Sequence, residues 1–358
     1  MHFATMSRRL PFLLLTTLAL WLLAACGGTL AAQQAPTQPA AQAPAGSVDT
    51  SAYKREAPYT ICFSNASASN SWRQTMVEHV RYEVGQHPEI QNFYEADAND
   101  DPAKQINDID GLLAKGCSAL LASPAKLNEL KPAIDKAMGM GVPVILIDRT
   151  VAGDNFVSYV SANNCSIGTL QAEWLAKELN GKGNIVLLSG VKGSSVAEDR
   201  MRCAREVFAK YPGIKEIAQG YANWSPVDGK KVMADWLKTL GPIDGIWSDG
   251  SQGVGAVNAY LEAKQPVPPI TGGDINSFLK QWKQNGFAAV AVSYPARVGE
   301  IGVRTALDVL AGKPVLHKVD IPLTVITQDK LDQFVRLDLP DAYWGDSDPA
   351  VVKLMFPK

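Results

Sequence analysis

Short apolar runs that alternate with segments of helical periodicity are the feature that most constrains the fold of this chain. Residues 59–64 form an apolar run typical of a buried strand, and the next segment places Trp72, Met76 and Val80 on one helical face. The alternation continues to about residue 326, and such alternation gives parallel sheets with helices on both faces. The predicted strands are residues 59–64, 93–94, 118–122, 142–147, 159–160, 185–188, 215–220, 245–247, 269–272, 288–292 and 319–326.

These strands are too numerous for one comfortable sheet. The length of 358 residues also suits about two domains, at roughly 150 residues for each. We therefore predict an α/β fold with two doubly wound parallel-sheet lobes. The sequence shows no short-period repeat, which argues against a solenoid.

The first part of the chain predicts export. Arg8 and Arg9 precede an uncharged run of 16 residues, 10–25, which is shorter than the roughly 20 residues of a membrane-spanning helix and suits a signal peptide. Residues 26–57 are rich in Ala, Gln, Pro and Thr, a composition that cannot bury enough apolar surface to offset its ordering entropy. We expect a signal peptide over 1–25 and a disordered tether over 26–57.

The end of the uncharged run, Leu23-Ala24-Ala25-Cys26-Gly27, resembles the bacterial lipobox. The resemblance implies cleavage before Cys26 and attachment of a lipid to that cysteine. The tether would then connect a soluble body to a membrane of the cell envelope. An ordinary signal peptide without a lipid anchor is the alternative.

Charge and motif content argue against several classes of function. Thirty-four Lys and Arg against 36 Asp and Glu leave a net charge of −2, so no basic field is present to hold nucleic acid. The histidines beyond the signal peptide, His79, His87 and His317, occur in no zinc-binding pattern, and no phosphate-loop or dinucleotide-binding glycine motif is present. We expect no metal, no cofactor and no nucleic-acid partner.

Polar and aromatic residues follow the predicted strands at their carboxyl ends, where open parallel sheets bind ligands. Asp148 and Arg149 end the fourth such run abruptly, and their side chains can hydrogen-bond neighbouring sugar hydroxyls. Trp72 and Trp224 offer flat apolar surfaces for a sugar ring. We therefore predict a monosaccharide site, and its other candidate residues are Asn70, Arg73, Arg200, Asp249, Asp274 and Tyr294.

Each of the main candidates also has a purely structural interpretation. Asp148 and Arg149 could close a turn as a surface ion pair, and Trp72 could begin the buried face of its helix. Aspartate is a favoured helix N-cap, which is the alternative for Asp249 and Asp274. Arg200 could lie on a solvated charged face, and Trp224 could cover a loop.

The motifs at the strand ends make the chain similar to the substrate-binding lipoproteins and periplasmic proteins of bacterial ABC sugar importers, of the ribose and galactofuranose type. The similarity spans about residues 58–325, and Trp72-Arg73 is nearer the galactofuranose type. The motifs that carry it are Phe63-Ser64-Asn65, Asn70-Ser71-Trp72-Arg73, the run from Pro143 to Asp148-Arg149, Ser161-Ala162-Asn163, the run from Gly193 to Arg200, Ser248-Asp249 and Gly273-Asp274.

The resemblance implies the fold of a type 1 periplasmic binding protein, in which two lobes close about hinge segments and trap a ligand. Three hinge crossings are implied, near Ala162, Tyr294 and Thr327. The implied lobes are residues 58–162 with 294–326 for the N-terminal lobe and residues 163–293 with 327–358 for the C-terminal lobe.

The resemblance also implies that both lobes contribute ligand contacts. Asp249 stands where ribose-type members carry asparagine, and Tyr294 falls where they use glutamine. The implied function is non-catalytic capture of a pentose or hexose, as pyranose or furanose, and its delivery by a monomer to an ABC permease. The implied contacts are Asn70, Trp72, Arg73, Asp148, Arg149, Asn163, Arg200, Trp224, Asp249, Asp274 and Tyr294.

Other functions remain open at this point. A secreted glycosidase could use two of the cleft aspartates as its acid and nucleophile. A sensor that presents the ligand to a chemoreceptor or kinase would need the same binding site. A sugar-responsive repressor would share the two lobes, but it would carry a DNA-binding helix-turn-helix where this chain has a signal peptide.

The cysteines of the predicted body divide into two pairs. Cys62 and Cys117 are expected to be buried free thiols, because they fall at different heights on neighbouring strands. Cys165 and Cys203 lie near the starts of two helices and are the candidate disulfide.

Overall fold

The computed structural model describes residues 45–357. The predicted signal peptide, Cys26 and most of the predicted tether lie outside the described residues. In chain order the first elements are β1 (Ser47–Val48), β2 (Tyr59–Asn65), α1 (Ser71–Gly85), β3 (Ile90–Asp97), α2 (Pro102–Leu113), β4 (Ala119–Ser123), α3 (Lys131–Gly139), β5 (Val144–Ile147) and β6 (Ser158–Ala162).

The middle of the chain repeats the same strand–helix alternation. Its elements are α4 (Asn164–Glu178), β7 (Lys182–Ser189), α5 (Ser195–Phe208), β8 (Gly213–Tyr221), α6 (Pro226–Thr239), β9 (Gly245–Ser248), α7 (Gln252–Glu262), β10 (Ile270–Gly273), α8 (Asn276–Asn285) and β11 (Ala289–Val292). The last elements are α9 (Val298–Leu310), β12 (Val315–Leu316), β13 (Lys318–Ile321), β14 (Val325–Ile326), α10 (Leu331–Phe334) and α11 (Pro349–Met355).

Within the described residues the strands form two six-stranded sheets, as the alternation predicts. The first has the order β13-β6-β5-β4-β2-β3 and is parallel throughout. The second has the order β14-β11-β10-β9-β7-β8 and is parallel except for β14. We call the two sheets with their helices the first and the second lobe. The α/β fold with two parallel-sheet lobes is thus confirmed.

The central strands are apolar on both faces because helices cover both sides of each sheet. Phe63 and Leu121 are fully buried in the first lobe, and Leu187, Ile246 and Trp247 are fully buried in the second. The edge strands β3 and β8 are only partly buried, and their sequences are more polar. The core therefore runs along the middle of each sheet. Its packing fixes the position along the sheet at which each strand ends.

The chain passes between the lobes after β6, after β11 and after β13, and a fourth time at residues 345–348, before α11. The third passage lies at residues 322–324, because β14 pairs with β11 of the second sheet. This corrects the expected crossing near Thr327 and the lobe boundary at 326. The apolar pattern over 319–326 had indicated one strand, but Pro322 has no N–H to donate to a ladder and separates β13 from β14.

The C-terminal residues do not all belong to the second lobe, in contrast to the assignment of 327–358. Helix α11 packs against α1 of the first lobe, and its Val351 is fully buried.

The start of the body also differs from expectation, because part of the predicted tether is ordered. Strand β1 pairs with β12, and Thr50 donates its hydroxyl to the Lys313 carbonyl at 2.6 Å. Backbone pairing of this kind cannot be recognised from the amino-acid composition.

Two disulfides occur among the described residues. Cys165–Cys203 agrees with the sequence expectation, and it joins α4 to α5. Cys62–Cys117 contradicts the expectation of buried free thiols. The turn before β4 bends toward β2, where Ser118 N donates to the Thr60 carbonyl at 2.7 Å. Cys117 directly precedes Ser118, outside β4, and its Cα lies 5.7 Å from that of Cys62, within bridging range.

Within residues 45–357, no helix is long and apolar enough to cross a membrane.

Thiol titration tests the corrected pairing. A full-length Cys26→Ser variant, unfolded in denaturant without reductant, should show no reactive thiol, because its four remaining cysteines are paired. After reduction the same protein should show four. Two thiols before reduction would mean that one of the two disulfides is absent, and four would mean that both are absent.

Candidate ligand-binding site

The carboxyl ends of the two sheets face each other across a cleft, and the lobes touch at its mouth. Leu127 N donates to the Gly193 carbonyl at 3.2 Å, and Thr150 N donates to Ser195 Oγ at 3.1 Å. The cleft holds a partly open cavity between the two sets of strand ends. Its lining residues are Asn70, Trp72, Arg73, Asp148, Val196, Arg200, Trp224, Asp249, Gly250, Ser251, Gly273, Val292, Tyr294 and Trp344.

Arg73 and Asp148 form a buried ion pair on the first-lobe side. Arg73 Nη1 donates to Asp148 Oδ2 at 2.5 Å, although the two residues are 75 positions apart. Arg73 Nη2 donates to Asn65 Oδ1 and to Ser123 Oγ, each at 2.7 Å. Arg73 Nε donates to the Ser67 carbonyl at 2.6 Å. The guanidinium therefore ties the ends of β2 and β4 to the residue that follows β5.

Asp148 adopts a left-handed backbone conformation, with φ +65°. Non-glycine residues seldom adopt it, and Asp is among the side chains that tolerate it best. The turn directs the carboxylate into the cleft, where Asp148 Oδ1 accepts a hydrogen bond from the Tyr294 hydroxyl at 3.0 Å. Tyr294 lies on the second passage between the lobes, so this bond connects the floor of the site to a hinge.

Arg149 lies beside the cavity and spans the two lobes. Its side chain is only 1% exposed, and Nη1 donates to Asp100 Oδ1 at 3.2 Å. Its guanidinium carbon stands 5.4 Å from the centre of the Trp224 ring of the second lobe. Burial lowers the pKa of this guanidinium, with the neighbouring Arg73 charge acting in the same direction. Arg149 is thus an inter-lobe contact and does not line the cavity.

Arg200 and Asp249 are the main charged groups on the second-lobe side. Arg200 Nε donates to Asn164 Oδ1 at 2.9 Å, and Nη1 donates to the Asp249 carbonyl at 2.7 Å. The Asp249 carboxylate accepts from Ser189 Oγ at 3.0 Å and from the Trp224 indole N–H at 3.1 Å. Burial raises the pKa of Asp249, and the Arg200 charge opposes that shift.

Aromatic rings form much of the remaining wall. Trp72 lies 5.0 Å from Tyr294 between ring centroids and donates its indole N–H to the Tyr294 carbonyl at 2.7 Å. Trp224 occupies space that two glycines leave free. A Cβ on Gly190 would meet its ring at 2.0 Å, and one on Gly250 would meet it at 2.6 Å. Any larger residue at either glycine would displace the ring.

Asn163 and Asp274, two of the predicted site residues, do not line the cavity. Asn163 caps α4, because its side chain accepts a hydrogen bond from Ser166 N at 2.9 Å. Asp274 is buried directly after β10, behind the lining residue Gly273, and its side chain caps no helix. Burial raises the pKa of the Asp274 carboxyl to about 8, opposed by backbone N–H groups and by Arg200.

Several buried polar atoms at the cleft have no hydrogen-bond partner within residues 45–357. They include donors, Arg149 Nε and Arg200 Nη2, and acceptors, Asp274 Oδ1 and Gln252 Oε1. A buried polar group without a partner is unfavourable. Of these atoms, Arg200 Nη2 belongs to a residue that lines the cavity, and the oxygen of a ligand hydroxyl can accept a hydrogen bond from it.

Sequence reasoning missed Trp344, a large aromatic side chain of the lining. It comes from the C-terminal segment, beyond the last predicted strand, so no strand-end rule pointed to it. The apolar lining residues Val196 and Val292 were also missed, because a valine beside a strand gives no chemical signal. No cluster of three or more His, Cys, Asp or Glu side chains placed to hold a metal ion occurs in the described part of the chain.

A model of the periplasmic binding protein domain matches residues 61–314. The chain belongs to this family. Its members bind solutes outside the cytoplasm, and they are binding proteins, not enzymes. The similarity to sugar-binding proteins of ABC importers, inferred from the motifs, is confirmed.

Two curated relatives illustrate the range of ligands. The xylitol-binding protein of Mycolicibacterium smegmatis is 29% identical over 238 residues, which are 66% of this chain and 68% of the relative. The galactofuranose-binding protein of Escherichia coli is 29% identical over 229 residues, covering 62% of this chain and 71% of the relative. A crystal structure from Mycobacterium smegmatis in complex with β-D-fucofuranose has a TM-score of 0.72 at 25% identity, covering 77% of this chain and 93% of that chain.

The raised pKa of Asp274 predicts a pH-dependent stability of the ligand-free protein. Between about pH 4 and pH 8, the folded state keeps a proton on Asp274 that the unfolded state releases, so the free energy of unfolding falls as pH rises. The slope from one such group is at most about 1.4 kcal/mol per pH unit. Asp274→Asn should remove this contribution. The melting temperature of the variant minus that of wild type should therefore increase as pH rises from 5 to 8.

The exposed Asp235→Asn, which also removes one negative charge, is the matched control and should follow the wild-type pH profile. Parallel profiles for wild type and Asp274→Asn across this range would show that Asp274 is ionised in the folded protein.

Proposed function

We propose that this protein is an exported solute-binding protein that captures a monosaccharide between its lobes and delivers it to an ABC permease. Its relatives include proteins named for ribose, xylitol and galactofuranose, and a related structure holds a furanose. A furanose, or a polyol of similar size, is therefore the ligand class that we favour.

The balance of buried charge in the cavity carries the proposal most strongly. Two guanidiniums, Arg73 and Arg200, stand against two carboxyl groups, Asp148 and Asp249, and all four residues are buried. A ligand with a net charge would leave one of these groups uncompensated in a site of low dielectric constant. A neutral molecule rich in hydroxyl groups adds hydrogen bonds without upsetting the balance.

The aromatic wall supports a ring-shaped ligand. Trp72, Trp224 and Tyr294 all line the cavity, and their flat faces suit the apolar C–H surface of a sugar. Relatives named for ribose and galactofuranose support a ligand of one sugar unit. We infer that the protein binds one sugar unit.

Capture follows from the four passages between the lobes. Rotation about residues 163, 293–297, 322–324 and 345–348 would separate the strand ends and admit the ligand. Closure would bring Arg149 over Trp224 and re-form the contacts at the mouth. Asn70 lines the cavity and caps α1, because its side chain accepts a hydrogen bond from Arg73 N at 3.0 Å. Arg149 contributes as an inter-lobe contact and Asp274 as a buried polar group behind the lining. Asn163 contributes as the cap of α4 and not as a ligand contact.

The proposal includes a lipid anchor on Cys26, supported by the lipobox-like sequence and the short uncharged run before it. Residues 1–25 would be removed on export, and the part of the tether before residue 45 would connect the anchored cysteine to the body. The protein would act as a monomer at the membrane, without a cofactor.

Thermal unfolding with a sugar panel tests the proposal. The full-length protein should be stabilised by one or more of xylitol, ribose, arabinose, galactose and fucose, by about 2.7 kcal/mol at a hundredfold excess over Kd. Arg200→Gln should weaken binding at least tenfold, because it removes the guanidinium that lies between Asn164, Asp249 and the cavity.

Arg202→Gln is the matched control, since Arg202 lies two positions further along α5 and is exposed. It should bind like wild type. A folded wild-type protein that no sugar of the panel stabilises would refute sugar binding, and equal loss in both variants would remove Arg200 from the site.

A further inference from the structure

We propose that Trp344 is a specificity-determining ligand contact, delivered to the cavity by a C-terminal strap that is fixed to both lobes. The strap is defined as residues 336–355. This inference rests on the proposed function, because it assigns a role in the same site. It concerns a part of the chain that lies beyond the matched family region, which ends at residue 314.

The first half of the strap is fixed to the second lobe at the start of α8. Asn276 N donates to the Tyr343 carbonyl at 2.8 Å, and Ser277 N donates to the Asp341 carbonyl at 3.1 Å. The Asn276 side chain adds three further hydrogen bonds, to the carbonyls of Arg336, Leu339 and Pro340. Asn276 thus satisfies several backbone groups of a segment that has no regular secondary structure of its own.

The second half of the strap is fixed to the first lobe. Helix α11 packs on α1, and Val351 is fully buried there. The exposed Asp346 lies near the charged groups of Arg297 and Glu300, both at the start of α9. Four residues, 345–348, therefore separate a part held by one lobe from a helix held by the other.

Trp344 stands where the two halves of the strap meet. Its backbone bridges to Ile275 of the second lobe, and its indole N–H donates to Ser71 Oγ of the first lobe at 2.9 Å. The ring lines the cavity and is only 5% exposed. Separation of the lobes must break the bond to Ser71, so the position of the ring depends on closure.

The residues around Trp344 leave room for this close approach. A Cβ on Gly273 would lie 3.2 Å from the Trp344 ring, and a Cβ on Gly345 would lie 2.7 Å from Asp274 Oδ2. Trp344 therefore lies next to Asp274, whose Oδ1 has no hydrogen-bond partner in the described structure. An apolar ring beside a buried polar acceptor is an arrangement that suits one edge of a sugar, with a C–H group on one side and a hydroxyl on the other.

The test compares Kd values for a pentose and a hexose that both stabilise the wild-type full-length protein. Trp344→Ala should weaken pentose binding at least tenfold. The affinity for the hexose should fall less, because the extra carbon of the hexose can occupy the space that the indole leaves. The ratio of the two Kd values should therefore change at least threefold in favour of the hexose.

Trp344→Phe and Ser71→Ala each remove the hydrogen bond to the first lobe while an aromatic ring stays at position 344. They keep the proposal testable if Trp344→Ala fails to fold. Each should weaken binding about threefold, and the double variant should be no weaker than either single variant, because both remove the same bond. Trp174→Phe changes a tryptophan of α4 that does not line the cavity, and it should bind like wild type.

The outcomes distinguish this inference from the proposed function. A wild-type protein that binds no sugar overturns both. A wild-type protein that binds sugar overturns this inference alone if folded Trp344→Ala keeps its affinity, or if it loses affinity for both sugars by the same factor. Additive losses in Trp344→Phe and Ser71→Ala would also overturn the role assigned to the strap.

Discussion

One buried ion pair organises the binding side of the first lobe. Arg73 reaches from the first turn of α1 to the carboxylate of Asp148, and the same guanidinium bonds to residues at the ends of β2 and β4. Loss of one partner from such a pair typically costs about 3–5 kcal/mol, because the other charge stays buried without compensation. The parallel sheet brings the strand ends together, and this pair fixes their side chains in one geometry.

The buried positive and negative groups of the cleft balance each other, and a ligand without net charge leaves that balance unchanged. Each side-chain nitrogen of Arg73 has a protein acceptor, whereas Arg200 and Asp274 each keep one polar atom without a partner in the described structure. Burial raises the pKa of Asp274 to about 8, which favours the protonated carboxyl at neutral pH, and this form can donate a hydrogen bond from one oxygen and accept one on the other. The site thus offers a mixture of donors and acceptors, which is the complement of a row of hydroxyl groups.

Much of this site could be predicted from strand ends, because parallel strands place their carboxyl ends at one edge and polar residues there rarely belong to the core. That rule found Asp148, Asp249 and Trp224. It could not distinguish a lining residue from its neighbours, since the difference between Asp148 and Arg149 depends on one left-handed backbone turn. It also could not find Trp344 or the Cys62–Cys117 bond, which depend on where irregular segments fold back onto the lobes.

The most direct test of the account is a crystal structure of the protein with the sugar that stabilises it most. The account predicts one monosaccharide in the cavity, with hydroxyl groups within hydrogen-bond distance of Asp148 and Arg200 and a ring face on Trp72 or Trp224. A sugar bound elsewhere on the surface, with the two lobes still meeting over an unaltered cavity, would contradict it.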